Sequence, residues 1–454
     1  MKPNILLFVI DSLRSDKIFG EQKTTNTPII DAMIKNGIYF TNAFTTNQYT
    51  SQVMQSIFTN RFLLDDEITK NYSNKNNQNS FLSLLKKNGY HTYTLNQEDV
   101  FFQGFNEKFD DKDNSFKSED NLYNGLEEKI LNKFTTMNEP WFFYLHLQDL
   151  HTPCVVPDEL VHLTLRERYD QNLSKIDLLL EKILKLIDID NTLIILTADH
   201  GEYISSTDGP LNESKSTKKT VKDSVKSVVP LKILEKIHIK KQKINRSISA
   251  KKTNIPHEKR MLSFKRQKLN QTLFDDIVHV PLLFHGYRIN HVIPITQQIC
   301  NIDIFPTIFD HLKFSNPIKN GHGRSLIPLI KNLEFLSIPI YMTSKAILKQ
   351  LKMNISIENA SDSLVGLRTE KYKFFRNHEN ENKDVHLYDI INDPLEDDNI
   401  ANERKDIVAE MELILEKFQN QSESSNNKND MDEDEIDEDE IKRAQESLKK
   451  LGYI

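Results

Sequence analysis

The sequence predicts an α/β protein, a three-layer sandwich around a mainly parallel central sheet, followed by a small α+β unit with an antiparallel sheet. Three observations carry this. Apolar runs at Asn4–Ile10, Trp141–Leu147 and Thr192–Thr197 read as strands buried on both faces. Segments with helical spacing alternate with them. Beyond Ile338 the pattern changes to strand signals in succession and one helix. At 454 residues the chain is long enough for two or more domains at roughly 100–200 residues each.

The elements follow in order. Asn4–Ile10 after Lys2 is too short for a secretory apolar core and lacks a small-residue cleavage site, so it reads as the first strand. Thr27–Asn36 is a helix with Pro28 in its first turn and Gly37 after its end. Ser80–Asn88 is a helix stopped by Gly89, and Tyr90–Leu95 is the next strand. Leu163–Ile187 is a long helix with an apolar stripe through Ile176, Leu179, Leu180, Ile183, Leu184 and Ile187. The α/β pattern resumes at Asp276–His285 and Gln298–Asp303. Val365–Arg376 and Val385–Ile390 read as antiparallel strands and Ile407–Phe418 as a helix.

Between them, residues 203–270 carry 18 basic against 5 acidic side chains. This is an insertion, read either as a solvated loop or as a polyanion or partner site. Ser422–Glu440 is rich in Ser, Asn, Asp and Glu and reads as disordered; Ile441–Leu451 is a short helical signal. The expected division is 1–335, 336–420, 421–440 and 441–454. Cys154 and Cys300 lie far apart with no metal-ligand spacing. No run approaches the roughly 20 apolar residues that span a bilayer. The expectation is a cytoplasmic protein without membrane contact.

The chemistry sits where two strands end. Asp11 follows the first strand; Asp199 and His200 follow Thr192–Thr197. In a parallel sheet both positions fall at the carboxyl edge, where ligands bind. Carboxylates and an imidazole converging there make a divalent-cation site, with calcium, manganese, magnesium and zinc all open. A lone Asp after a strand is also an ordinary helix cap, so the surrounding text decides.

That text resembles the sulfatase family, within the alkaline phosphatase superfamily. The carrying residues are Lys2-Pro3-Asn4-Ile5-Leu6 with Ile10-Asp11-Ser12-Leu13-Arg14, then Thr27-Pro28 with Gly37-Ile38-Tyr39-Phe40-Thr41-Asn42-Ala43, then Thr197-Ala198-Asp199-His200-Gly201-Glu202. His279-Val280-Pro281-Leu282-Leu283, Asp303-Ile304-Phe305-Pro306-Thr307 and Gly323-Arg324-Ser325-Leu326 recur in the family's order, as do Leu367-Arg368-Thr369-Glu370-Lys371-Tyr372-Lys373, Leu387-Tyr388-Asp389, Asp393-Pro394 and Leu451-Gly452-Tyr453. The resemblance implies an alkaline-phosphatase-like sandwich and a metal held by Asp11, Asp199 and His200. Arg14 and Glu202, beside the ligands, are candidates to orient them.

Sulfatases open a motif ending in Thr-Gly-Arg with a Cys or Ser that becomes formylglycine. Counting back from Thr59-Asn60-Arg61 places Thr50 there, with Gln52 and Met54 where the modifying enzyme requires Pro and Arg. No formylglycine is expected. The resemblance then implies an unmodified Thr50 hydroxyl as nucleophile, activated by the metal; a plain helix cap is the alternative. Family cations that bind the transferred group fall at Gln97, Asp99 and near Asn270. His151 of Asp149-Leu150-His151-Thr152-Pro153 is retained, as general acid or anion contact. His279 is a further substrate-binding candidate. His146 reads as a packed or supporting histidine. Asp149, His279 and His322 are the candidates for a second metal.

The expected function is hydrolysis of an anionic sulfate or phosphate ester through Thr50. The alternatives are a phosphodiesterase or phospho-headgroup transferase of the same superfamily, and a degenerate member that binds an anion or partner without turnover.

Overall fold

Seven consecutive buried residues, Asn4–Ile10, form strand β1, and its position in the centre of the sheet explains why it has no polar face. In the computed structural model, residues 2–21, 23–63, 81–96, 108–113, 120–204, 273–290, 294–314, 321–344 and 363–426 are described. The other strands of the large sheet are β2 (Ile38–Phe44), β3 (His91–Leu95), β4 (Asp111–Asp113), β5 (Trp141–Leu147), β6 (Thr192–Thr197), β7 (His279–Gly286) and β8 (Ile299–Cys300). Their spatial order is β4-β3-β5-β1-β6-β7-β2-β8. β1 runs parallel to both neighbours, β5 and β6; β7 alone runs antiparallel to the strands beside it, β6 and β2.

Alternation sorts β1 between two cores. Ile5, Leu7 and Val9 join the face covered by the Thr50–Thr59 and Ile304–His311 helices. Leu6, Phe8 and Ile10 join the face covered by the Pro28–Lys35 and Leu165–Leu186 helices. The long helix starts two residues later than its apolar stripe suggests. Thr164 is its cap: Thr164 Oγ1 accepts from the Glu167 amide and Glu167 Oε2 accepts from the Thr164 amide, a capping box.

The second sheet has order β12-β11-β10-β9 and is antiparallel throughout, with β9 (Ile340–Thr343), β10 (Leu364–Arg368), β11 (Tyr372–Asn377) and β12 (His386–Asp389). The single strand expected over Val365–Arg376 is a hairpin, β10 and β11, turned at Thr369–Lys371. Thr369 Oγ1 accepts from the Lys371 and Tyr372 amides there, an ST-turn that fixes the reversal. The helix expected to end at Phe418 spans Lys405–Asn426, entering the segment expected to be disordered. Most of the basic insertion (from residue 205), Gln97, Asp99, Asn270 and residues 427–454 lie outside the described residues. Among those described, no helix is long and apolar enough to cross a membrane. Both cysteines are buried and free.

The two sheets are joined by a third core, from Phe44, Phe62, Val278 and Cys300 to Leu367, Phe374 and Met411. A buried ion network crosses the same boundary. Asp275 lies 3.1 Å from Arg368 and 2.6 Å from Lys373, and Lys373 also reaches Glu396 at 2.8 Å. Burial opposes ionisation of Asp275, but Arg368 and Lys373 hold its pKa below the usual carboxylate range. Removing one member of such a network leaves a buried charge uncompensated. Asp275→Ala is therefore expected to lower stability by about 3–5 kcal/mol, read by equilibrium denaturation. A change below about 1 kcal/mol, the scale of an exposed pair, would show that the network does not hold the boundary.

Candidate metal centre

Strand parity builds the site. On β1 the odd residues face the Thr50–Thr59 helix, as do the odd residues of β6 and the even residues of β5. Extending each strand on the same face gives Asp11, Asp199 and His146. Register completes the convergence, because Val9 stands beside both His146 and Thr197, and the Asp11 amide donates to the Leu147 carbonyl at 2.8 Å. All three side chains are buried.

His200 and Thr50 close the group. His200 Nε2 is 3.8 Å from Asp11 Oδ1 and 3.5 Å from Asp199 Oδ2. Thr50 Oγ1 is 3.4 Å from the same nitrogen. His146 Nε2 is 4.0 Å from Asp11 Oδ2 and from Asp199 Oδ2. Thr50 is the first residue of its ten-residue helix, with Tyr49 as the cap, so the positive end of the helix dipole lies at the cluster.

The surrounding loops are fixed by hydrogen bonds and ion pairs, those of Ser12 and Tyr169 buried. The Ser12 amide donates to Asp199 Oδ1, and Ser12 Oγ to Asp11 Oδ1 at 2.8 Å. Tyr169 Oη donates to the Ser12 carbonyl and accepts from the Arg14 amide. Arg14 is buried, paired with Asp16 at 2.8 Å and Asp276 at 3.1 Å, and donates to the Glu202 carbonyl. Gly201 passes so close to the 275–278 turn that a Cβ would stand 2.2 Å from the Asp276 carbonyl oxygen; only glycine fits after His200. Glu202 Oε2 accepts from the amide and hydroxyl of Thr152, tying the His151 loop to the Asp199 loop.

His151 is exposed at this edge, with its charge felt at Asp11. His279 is not brought to the cluster. Its Nε2 donates to the Thr41 carbonyl at 2.7 Å and its ring stacks on Phe44. The three second-metal candidates do not meet either. His322 Nδ1 accepts from the Phe62 amide, and burial lowers its pKa to about 4. Asp149 Oδ1 accepts from the Leu122 amide, and burial raises its pKa to about 6. Among the described residues, the group whose ligand atoms converge is Asp11, Asp199 and His200. His146, read from the sequence as a packed or supporting histidine, lies on the face of the cluster, and Ser12 and Tyr169 were not singled out; β5 is buried on both faces, so its sequence does not mark which one meets the carboxylates.

The electrostatics fit a cation. Burial, then the Asp199 charge, raises the Asp11 pKa; Asp199 is lowered against its burial by His200, His146 and the Thr50 hydroxyl. His200 is raised to about 9, because Asp199 and Asp11 outweigh the burial that opposes its charge. Asp199 Oδ2 has no hydrogen-bond partner among the described residues. Such a donor set fits a divalent ion, which would supply the missing positive charge.

Comparison with known proteins gives the family and the fold. Residues 3–314 match the family model Sulfatase, and residues 269–421 match N-sulphoglucosamine sulphohydrolase, C-terminal. An uncharacterized protein of Haemophilus influenzae is 27% identical over 206 residues, 44% of this chain and 32% of that protein. An ulvan-active sulfatase of Formosa agariphila is 24% identical over 224 residues, 44% of this chain and 45% of its own. The matches thus span less than half of either curated relative. Among solved structures, a phosphonate monoester hydrolase of Agrobacterium radiobacter shares the fold with TM-score 0.62 at 14% identity, covering 92% of this chain and 96% of that one. A 2-O GAG sulfatase does so with TM-score 0.61 at 15% identity, covering 96% and 95%.

In protein stripped of metal, the attraction between His200 and the carboxylates stabilises the fold fully below pH 6.5 and is lost as pH rises through about 9. A cation requires the neutral imidazole. Cation binding at pH 7 is therefore expected to release about one proton, and affinity to rise with pH up to about 9. Isothermal titration in buffers of different ionisation enthalpy measures the release; a heat independent of buffer would contradict it.

Proposed function

The chain belongs to the sulfatase family, and on that premise we propose that it hydrolyses a sulfate or phosphate ester with Thr50 as the nucleophile. The observation that carries the reading is the position of Thr50 Oγ1, 3.4 Å from His200 Nε2 at the start of a helix. A cation held by Asp11, Asp199 and His200 would supply Lewis acidity, lowering the pKa of a hydroxyl and drawing charge from an ester oxygen.

The chain's own residues do the rest. Thr50 loses its proton to solvent, and its Oγ1 bonds to the sulfur or phosphorus as the bond to the departing oxygen breaks. His151, exposed at the mouth of the site, gives that oxygen a proton. Water then cleaves the Thr50 ester and releases the inorganic anion, and the Thr50 oxygen recovers a proton. The amide-rich N-terminus of the Thr50–Thr59 helix favours the anion throughout. Arg14 and Glu202 act at one remove, holding the two loops that carry Asp199, His200 and His151.

One observation favours a phosphoester over a sulfate ester. An unmodified hydroxyl stands where sulfatases carry a formylglycine precursor, and a Thr nucleophile is the chemistry of the superfamily's phosphoester enzymes. Thr50→Ala is expected to lower kcat/KM by at least about 10³-fold, and His151→Ala by about 10²–10⁴-fold, with the larger loss on esters of poor leaving groups. Assays with an aryl sulfate, a phosphate monoester and a phosphodiester in the presence of divalent ions read both. Turnover that survives Thr50→Ala would remove the nucleophile assignment.

A further inference from the structure

We infer that His146 is a fourth protein donor to the cation of this site, and that its imidazole together with that of His200 tunes the site to zinc or a similar transition ion over calcium or magnesium. The inference rests on the reading of Asp11, Asp199 and His200 as a metal centre, and adds a ligand and a metal class to it.

The Nε2 atom of His146 is buried and has no hydrogen-bond partner among the described residues. A histidine that merely packs in a core would have its polar atoms satisfied. This one points at two carboxylates and touches neither, at 4.0 Å from each. A protonated Nε2 facing such acceptors would close to about 2.7–3.2 Å. Three donor atoms face one another here without a hydrogen bond between them, the arrangement that a cation bound among them would satisfy. Donor atoms bound at roughly 2.0–2.4 Å to one ion stand about 3–4.7 Å apart. The separations 3.5 and 4.0 Å from the two imidazoles to Asp199 Oδ2, and 3.8 and 4.0 Å to the Oδ1 and Oδ2 atoms of Asp11, fall in that range.

The other ring nitrogen supports the assignment. His146 Nδ1 lies 2.6 Å from the hydroxyl of Tyr144, two residues earlier on the same face of β5. A ligating histidine is held in this way, with its remote nitrogen engaged and its orientation fixed. The donor set then becomes two carboxylates and two imidazoles. Carboxylates alone suit calcium and magnesium; imidazoles move preference to zinc and its neighbours.

The test uses the full chain, stripped with a chelator and titrated separately with zinc, calcium and cobalt(II). His200→Ala serves as the control for the centre itself. His146→Gln is expected to lose more zinc affinity than the roughly 10–100-fold that follows removal of an outer partner, and Tyr144→Phe to fall within that range. Calcium affinity should change little in His146→Gln, and the visible absorption of bound cobalt should shift. Circular dichroism checks that each variant is folded; if His146→Gln is not, Tyr144→Phe decides by its zinc affinity and cobalt spectrum. Wild-type zinc affinity and an unchanged cobalt spectrum in the folded variants, with binding lost in His200→Ala, would overturn the role of His146 and leave the centre standing. Absence of divalent-ion binding by the wild type would overturn the centre and the inference with it.

Discussion

Two buried carboxylates that repel one another are the constraint on which the rest of this structure depends. Asp11 and Asp199 end neighbouring strands, on the same face, away from water. One consequence is visible in their opposite displacements, Asp11 raised and Asp199 lowered, which is how a like-charged pair divides its protons. The two imidazoles relieve the repulsion only in part. A fold that keeps such a pair together holds an arrangement that costs stability until positive charge enters it. The buried bonds from Ser12 to both carboxylates and from Tyr169 to the Ser12 loop help to offset that cost.

The remaining architecture reads as support for that edge. β1 sits between β5 and β6, so three parallel strands deliver their ends side by side. The Asp11 loop is pinned by Ser12, Tyr169 and Arg14, the Asp199 loop by the close passage of Gly201 under the 275–278 turn. The C-terminal sheet contributes at a distance. The Thr343 amide of β9 donates to the Thr46 carbonyl, bracing the segment that leads into Thr50, which Asn301 at the end of β8 also holds by donating to the Thr45 hydroxyl. Through the Asp275 network, the same sheet grips the turn on which Gly201 rests. The smaller unit therefore acts on the site without entering it.

Much of this was legible in the sequence because it rests on local pattern. The strands Asn4–Ile10, Trp141–Leu147 and Thr192–Thr197 lie where their apolar runs place them, and Asp11, Asp199 and His200 stand at strand ends, where the family motifs around them singled them out. β2 and β9 escaped because their placement is set by partners remote in the chain, Phe284 near Ile38 and Thr46 near Thr343. His279 looked available because it opens a strand in a family motif; its hydrogen bond to Thr41, 238 residues away, has no local signal. His146 is the instructive case. Its neighbours in sequence give a buried strand, and nothing there tells which face meets the Asp11 carboxylate. Register between β1 and β5 decides that, and register is a property of the sheet.

The segment from Thr50 to Arg61 shows how chemistry and scaffold separate. Its family pattern ends in Thr-Gly-Arg, and here Asn60 replaces the glycine. Asn60 has φ of 57°, the left-handed conformation that closes the helix and that asparagine tolerates better than other side chains. Its side chain then does something glycine could not, since Oδ1 accepts from the Gly323 amide at 2.9 Å while its carbonyl accepts from His322. Helix position is thus held by an added bond at the far end. At the near end stands Thr50, the residue that the resemblance aligns with the reacting group of the family. Loss of function would be expected to loosen this holder, because nothing would maintain a strained cap and its partners. The holder is instead reinforced. On the proposed reading, the departures in this segment exchange one nucleophile for another on a helix held in place by the Asn60 bonds.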